Sequence, residues 1–206
     1  MGDPMDDIVV RGMARWPSVP AVYGWLSLDR RGNWLIKGER IANPLVTDFI
    51  GRNYARDERG CWYFQNGPQR VFLDLDYAPL VFRIVSPHAA PLAIETHSGQ
   101  AVAILAGAWL DESGTLLLET EHGVGTVHDR DLDLVLPHLA DDAGGSLTED
   151  RLGELMERAQ RNIDVPLWLK FREGRVKIGA IASREIPGRF GFIARPLPPA
   201  GEEVCR

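Results

Sequence analysis

The chain has 206 residues, 45% hydrophobic and 25% charged, with a formal net charge of −6. That composition is ordinary for a globular protein and allows one large core or two small ones. The acidity excludes a general affinity for nucleic acid or anionic membrane, because phosphate contacts need clustered Lys and Arg.

Met1 to Asp7 carry three aspartates and a proline without an apolar period. Residues 1–15 are therefore read as a flexible N-terminal segment. No cationic stretch followed by an apolar run opens the chain, so no secretory signal is expected. Met1-Gly2 begins like a myristoylation signal, but the sixth residue is Asp6 rather than Ser or Thr.

Val22 to Leu28 and Asn33 to Lys37 read as strands joined by the turn Asp29-Arg30-Arg31-Gly32. Asn43-Pro44 looks like the cap and first turn of a helix. Its apolar face holds Leu45, Val46, Phe49, Ile50, Asn53 and Tyr54, and its polar face Asp48, Arg52 and Arg56. Cys61 to Gln65, the dipeptide Asn66-Gly67 and Gln69 to Asp76 form a hairpin, and Val81 to Val85 another strand. Ser86 to Pro91 breaks the pattern and is the expected boundary between halves.

The second half repeats the order. Ala101 to Leu110 turns at Asp111 to Gly114 and returns through Thr115 to Thr120. The longest apolar stretch, Ala101 to Leu110, has about half the residues of a membrane span. Asp131 to Leu139 suggests a short helix, and Ser146-x-x-Glu149 is a capping box ahead of Leu152, Leu155, Met156, Ala159 and Ile163 at helical spacing. Pro166 to Arg172 and Arg175 to Ala182 make a last hairpin around Glu173-Gly174. The residues from Pro196 onward are rich in Pro, Gly and Glu and are read as a flexible tail.

Asp29 and Asp111 are 82 residues apart, as are Gly32 and Gly114. This spacing predicts an internal duplication, an α+β fold of two pseudo-repeated hairpin-helix-hairpin units with mostly antiparallel sheets, over residues 16–86 and 87–195. Two independent hairpins with Asp-x-x-Gly turns would give the same local pattern. Trp25 and Trp109 are expected at equivalent buried positions. Trp62 and Trp168, 106 residues apart, are expected to anchor the second hairpins, the difference being a helical insertion in the second copy.

Trp34-Leu35-Ile36-Lys37-Gly38, a helix, and then Pro68-Gln69-Arg70-Val71 closing on Ala78-Pro79-Leu80-Val81 resemble a proteobacterial family of unknown function, the two-repeat family numbered 1285. The resemblance covers roughly residues 24 to 85. It implies an α+β protein of two repeated motifs in a bacterium, without established chemistry, with a signalling or binding role. Asn66-Gly67, Gln65 and Gln69 depart from that pattern.

Asp129, Asp131 and Asp133 alternate as in a calcium loop, but Leu134 and Ala140 stand where Gly and Glu are required. They are read as capping residues. His122 and His128 with Glu121 and Asp129 lack a third or fourth ligand, so no metal is expected. Cys61 and Cys205 imply neither a disulfide framework nor a zinc cluster, which fits a reducing cytoplasm. Cys205 also stands too near the end of the sequence for a prenylation motif. His97-Ser98-Gly99 lacks a nucleophile elbow, and Gly123-x-Gly125 lacks a dinucleotide fingerprint, so no cofactor is expected.

The arginines Arg40, Arg52, Arg56, Arg59 and Arg70 concentrate positive charge in an acidic chain, beside Tyr54, Trp62, Tyr63, Asn66 and Gln69. Guanidinium forks suit carboxylate or phosphate. Arg40, Arg52, Arg56, Arg70, Tyr54, Tyr63 and Gln69 are therefore the candidate site for a small anionic ligand or a protein partner. The same arginines could instead pair with Asp48, Asp57 and Glu58 as a surface network. The leading reading is a non-catalytic binding or signalling module. The alternative is an enzyme on an anionic substrate with Asp74 or Asp76 as base, two carboxylates on one strand face about 7 Å apart.

Overall fold

The computed structural model describes residues 5–16, 19–85, 91–145, 147, 149–161, 163, 166–200 and 204–205. In chain order they form α1 (Asp7–Arg15), β1 (Ala21–Leu28), β2 (Trp34–Ile36), β3 (Glu39–Arg40), α2 (Pro44–Arg52), β4 (Tyr54–Arg56), β5 (Trp62–Asn66), β6 (Gln69–Leu75), β7 (Leu80–Ile84), β8 (Ile94–Thr96), β9 (Leu105–Leu110), β10 (Leu116–Thr120) and β11 (Gly123–Val127). There follow α3 (Leu132–Val135) between two single 3-10 turns, β12 (Leu139–Ala140), α4 (Glu149–Gln160), β13 (Leu167–Phe171), β14 (Gly174–Ala180), α5 (Ile186–Phe190) and β15 (Val204–Cys205). These group into two compact units, one from residues 1–79 and 190–206, the other from 80–189.

The α+β class and the repeat are both present. The first sheet runs β3-β2-β1-β6-β5-β4, with β15 added parallel to β1. The second, read in the matching direction, runs β11-β10-β9-β14-β13-β12, and β7-β8 extend it beyond β11. Strand for strand this is one plan used twice. Each copy pairs its first strand antiparallel with the second and parallel with the last, β1 with β6 and β9 with β14. The sheets are therefore mostly antiparallel, as expected, but mixed, with a parallel pairing at the centre of each copy. That parallel pair is reached through a crossover of intervening strands and helix, as a parallel pairing requires.

The turns that open each copy share one mechanism. Asp29 Oδ1 accepts from the N–H groups of Arg31 and Asn33, both at 2.8 Å, and Asp111 Oδ1 from those of Ser113 (2.9 Å) and Thr115 (2.7 Å). A short carboxylate that bonds its own downstream backbone fixes such a turn without help from packing. The insertion in copy two is α4, between β12 and β13, where copy one has only the loop between β4 and β5.

Several expectations are corrected by register. The loops Gly67-Pro68 and Arg172-Glu173 are flanked by the pairs Asn66 with Gln69 and Phe171 with Gly174, an offset of 105 residues. Trp62 thus corresponds to Leu167, and Trp168 to Tyr63. One residue of slip moves a side chain to the opposite face of a strand. The tight turn is also Gly67-Pro68 rather than Asn66-Gly67, because Asn66 still pairs in the ladder. Trp25 and Trp109 are not core residues: Trp25 is 38% exposed and Trp109 half-buried. Each carries a cation on its ring, Lys37 Nζ at 3.8 Å and the Arg189 guanidinium at 5.1 Å.

The strand at Val81 belongs to the second sheet, where β7 pairs parallel with β11 and antiparallel with β8. Leu80, Val81, Phe82 and Ile84 are all buried there. The Ser86 to Pro91 break and the Ser146 cap fall mostly outside the described residues. The N-terminal segment is not without structure, since residues 7–15 are α1. Val9 is 1% exposed, and the Gly12 backbone comes so near Gly67 and Pro68 that a Cβ would stand 3.4 Å from both.

Candidate functional site

In the first unit, alternation along β6 sends Val71, Leu73 and Leu75 to one side of the sheet and Arg70, Phe72 and Asp74 to the other. The α2 side is the apolar core: Phe49 meets Phe64 edge-on at 5.5 Å, and Tyr54 packs between Trp34 and Trp62. The other side carries a smaller cluster of Cys61, Tyr63 and Phe72 with Met5, Ala21, Tyr23 and Ala55 against it. Tyr23 stacks on Phe72 with centroids 4.6 Å apart.

On this second side lies a cavity of about 330 Å³ lined by Ala21, Tyr23, Asp57, Arg59, Arg70, Phe72 and Pro199. Its floor is aromatic and its rim holds two guanidinium groups. Arg70 lies over the Tyr63 ring at 4.7 Å and Arg59 over Phe72 at 5.5 Å, cation–π placements that hold the cations without using up their N–H donors. Arg59 also donates to Asp57 Oδ2 (3.1 Å) and hydrogen-bonds Tyr23. The Arg70 side chain makes no hydrogen bond or ion pair to a described residue.

The structure does not gather the other predicted site residues here. Arg52 donates to both oxygens of Asp6, at 3.2 and 3.3 Å, and the Asp6 backbone N–H donates to Asn53 Oδ1. The Arg52 hydrogen bond holds the Asp6 carboxyl below its ordinary pKa. Arg56 Nη2 donates to the Gly191 carbonyl at 2.5 Å. These two arginines thus clasp the segments at either end of the chain. Tyr54 sits on the α2 side with its hydroxyl donating to Pro79 O (3.0 Å), Gln69 Nε2 donates to Pro20 O (3.1 Å), and Arg40 is exposed on the edge strand β3. Only Arg70 and Tyr63 are brought together. Tyr23, Arg59, Phe72 and Pro199 were absent from the predicted set, although the alternation of Tyr23 and Phe72 along their strands is a signal for the first and third.

Residues 5–197 match the DUF2944 family model, whose description reads "Protein of unknown function (DUF2946)". The chain belongs to that family. No curated protein matches it. Two solved structures are similar to this family member, both DUF1285 family proteins. That from Silicibacter pomeroyi DSS-3 is 14% identical, with 68% of this chain and 79% of that chain covered and a TM-score of 0.47. That from Shewanella baltica OS155 is 17% identical, with 55% and 87% covered and a TM-score of 0.39.

Asp74 is half-buried, and burial raises its carboxyl pKa against the pull of Arg195, whereas Asp76 is exposed and 3.6 Å from Arg30. Asp131 holds the N-cap position of α3 but makes no side-chain capping bond, contrary to its reading as a capping residue. Its carboxylate accepts from Arg83 Nε (2.6 Å) and from the Ile84 N–H (3.1 Å), tying β7 to the turn before α3. His128 Nδ1 accepts from the Arg130 N–H, and His122 Nε2 meets Ala101 O at 3.0 Å. Among the described residues no three His, Cys, Asp or Glu side chains gather as a metal site, and no helix is long and apolar enough to cross a membrane. Cys61 is a buried thiol whose pKa burial pushes up.

Proposed function

We propose that this chain is a non-catalytic binding module, acting in signal transduction in the bacterial cytoplasm, and that its ligand is an anion held in the Arg59–Arg70 cavity. The observation that carries this reading is Arg70, a cation braced on Tyr63 whose guanidinium bonds no described residue, at the rim of an aromatic-floored cavity. Its volume falls within the about 300–1,000 Å³ of small-molecule sites. The reading keeps Arg70 and Tyr63 of the predicted site and adds Arg59 of the same arginine cluster, while Arg40, Arg52 and Arg56 lie elsewhere. Kinship with the 1285 family belongs to the same reading. Its supports are the Trp34 strand end and the Pro68-x-Arg70-Val71 motif, which stand on β2 and on the hairpin of β5 and β6.

The test is a thermal-shift and calorimetric titration of the full chain with acetate, succinate and inorganic phosphate. At least one anion should bind one-to-one and raise the melting temperature, since native-state ligands stabilise by mass action. Arg70→Gln should weaken that binding about tenfold or more while leaving the fold intact. Failure of every anion to bind, or indifference to Arg70→Gln, ends the proposal.

A second reading has one observation behind it: the raised pKa of Asp74, on the same strand face two residues beyond Phe72. An enzyme acting on an anionic substrate could use it as base. It would require Asp74→Asn to abolish turnover of a bound anion without changing its affinity.

A further inference from the structure

The repeat allows the open cavity of copy one to be compared with the same place in copy two. Copy two preserves the arginine on its aromatic. At the 105-residue offset set by the hairpin register, Arg70 corresponds to Arg175 and Tyr63 to Trp168. The Arg175 guanidinium lies over the Trp168 ring at 4.4 Å, as Arg70 lies over Tyr63 at 4.7 Å. In both copies an acidic turn closed by glycine follows the short outer strand. Gly60 N–H donates to Asp57 O (3.1 Å) in copy one, and Gly144 N–H to Asp141 O (3.0 Å) in copy two.

What differs is where the turn goes. In copy two it lies on the pair and is held by three donors. Trp168 Nε1 donates to Asp142 Oδ1 (2.9 Å), Arg175 Nη1 to the Asp142 carbonyl (3.2 Å) and Lys170 Nζ to the Gly144 carbonyl (3.1 Å). Copy two thus holds, from its own chain, a short acidic peptide, one carboxylate and two main-chain carbonyls. In copy one the turn is one residue further from the strand ladder: Asp57 directly follows Arg56, paired with Trp62, whereas Asp141 directly follows Ala140, paired with Trp168, the counterpart of Tyr63. Counted from the turn, Ala143 is replaced by Arg59. Its guanidinium faces Tyr23 and Asp57, and the cavity opens between turn and Arg70.

We infer that the occupant of the Arg59–Arg70 cavity is an acidic peptide segment of a partner protein, taking the place that the chain's own Asp142 turn fills in the second copy. The inference rests on the proposed anion site and narrows its ligand. Charge complementarity supports it: two cations, Arg175 and Lys170, meet the copy-two turn, and in copy one Gln65 stands in place of Lys170 while Arg59 replaces Ala143, so an incoming carboxylate again meets two cations; among the described residues the only carboxylate lining the cavity is Asp57, already paired with Arg59.

The experiment uses the full chain and a fluorescent, end-blocked peptide of the sequence of residues 141–145, Asp-Asp-Ala-Gly-Gly, read by anisotropy, with succinate as the small-molecule arm. The expected result is saturable binding that falls at least tenfold when both aspartates of the peptide are replaced by asparagine, falls similarly in Arg70→Gln, partly recovers in Arg70→Lys, and weakens as salt is raised. Binding of succinate without the peptide overturns this inference and leaves the anion site standing. Absence of binding by either removes both. Equal binding of the asparagine peptide, or binding unaffected by Arg70→Gln, also overturns the inference.

Discussion

Replacing Gly60 by alanine tests how the 190–199 segment is held on the first unit. Gly60 has φ +87°, and a Cβ there would fall inside the Gly191 carbonyl and stand 3.2 Å from the Phe192 Cα, both backbone positions that cannot swing aside as a side chain would. The left-handed conformation costs an alanine about 1–2 kcal/mol. Overpacking against fixed atoms adds about 1–3 kcal/mol. Should the segment retreat instead, it loses the Ile193 N–H bond to Gly60 O (3.0 Å), worth about 0.5–1.5 kcal/mol, and strains the Arg56 bond to Gly191. The expected loss is therefore about 2–5 kcal/mol. Gly38→Ala is the control, because Gly38 has φ +83° but open space around its missing Cβ, so only the conformational cost of about 1–2 kcal/mol applies. Urea denaturation of both variants measures the difference. If Gly60→Ala costs no more than Gly38→Ala, the close approach of the Gly191 backbone is not part of the folded state. Since Pro199 lines the cavity, Gly60→Ala should also weaken anion binding.

Three further outcomes are expected. Burial works against the charge of Asp131, but the hydrogen bonds from Arg83 and the Ile84 N–H outweigh it and lower its pKa; a depressed carboxyl contributes stability above the unfolded value of about 3.9 that is lost as pH falls through the folded one. Urea midpoints of Asp131→Asn should therefore lie below wild type at pH 7 and converge with it toward pH 3, and a constant gap would refute the ion pair. Trp25→Ala should cost about 1–2 kcal/mol, less than the about 3–5 kcal/mol of a buried aromatic such as Phe82, because Trp25 is 38% exposed and part of its cover is the Lys37 side chain; equal losses in thermal unfolding would mean that Trp25 is core after all. Asp111→Ala should cost about 1–3 kcal/mol, since Asp111 is 1% exposed and its loss strands the Ser113 and Thr115 N–H groups. Thermal unfolding indistinguishable from wild type would show that the carboxylate does not hold the turn.

What was legible in the sequence was what local chemistry determines. The Asp29 and Asp111 turns bond their own next few residues, so their type and spacing could be read directly, and with them the repeat. The Asn43-Pro44 helix start was equally local: Asn43 Oδ1 accepts from the Leu45 N–H at 3.0 Å. The arginine cluster was not legible, because Arg52 finds Asp6 46 residues away and Arg56 finds Gly191 135 residues away. Sequence spacing offered Asp48, Asp57 and Glu58 as partners, of which Asp57 does pair, with Arg59 at 3.1 Å. Trp25 and Trp109 were misjudged because alternation assigns a face but does not say whether anything covers it.

The duplication also explains why the functional reading rests on the second side of the first sheet rather than on α2. Both copies use one strand plan, so the Arg70 and Arg175 positions would be expected to meet the same surroundings unless the connections differ. The connections do differ at that place. Copy two gains α4 between β12 and β13 and brings its acidic turn one residue closer to the ladder, while copy one has a short loop and an arginine in the turn. A turn that satisfies Trp168, Lys170 and Arg175 makes copy two self-contained. The same scaffold without that contact leaves Arg70 a cation whose hydrogen-bonding valence no described residue fills, beside a cavity floored by Tyr23 and Phe72. Tethering the copy-one turn to Arg70, by Arg59→Asp, should therefore close the cavity from within. The variant should stay folded, gain an ion pair to Arg70 worth about 0–1 kcal/mol at this exposed position, and lose anion binding. Undiminished anion binding in Arg59→Asp would show that the open copy does not work as the counterpart of the filled one.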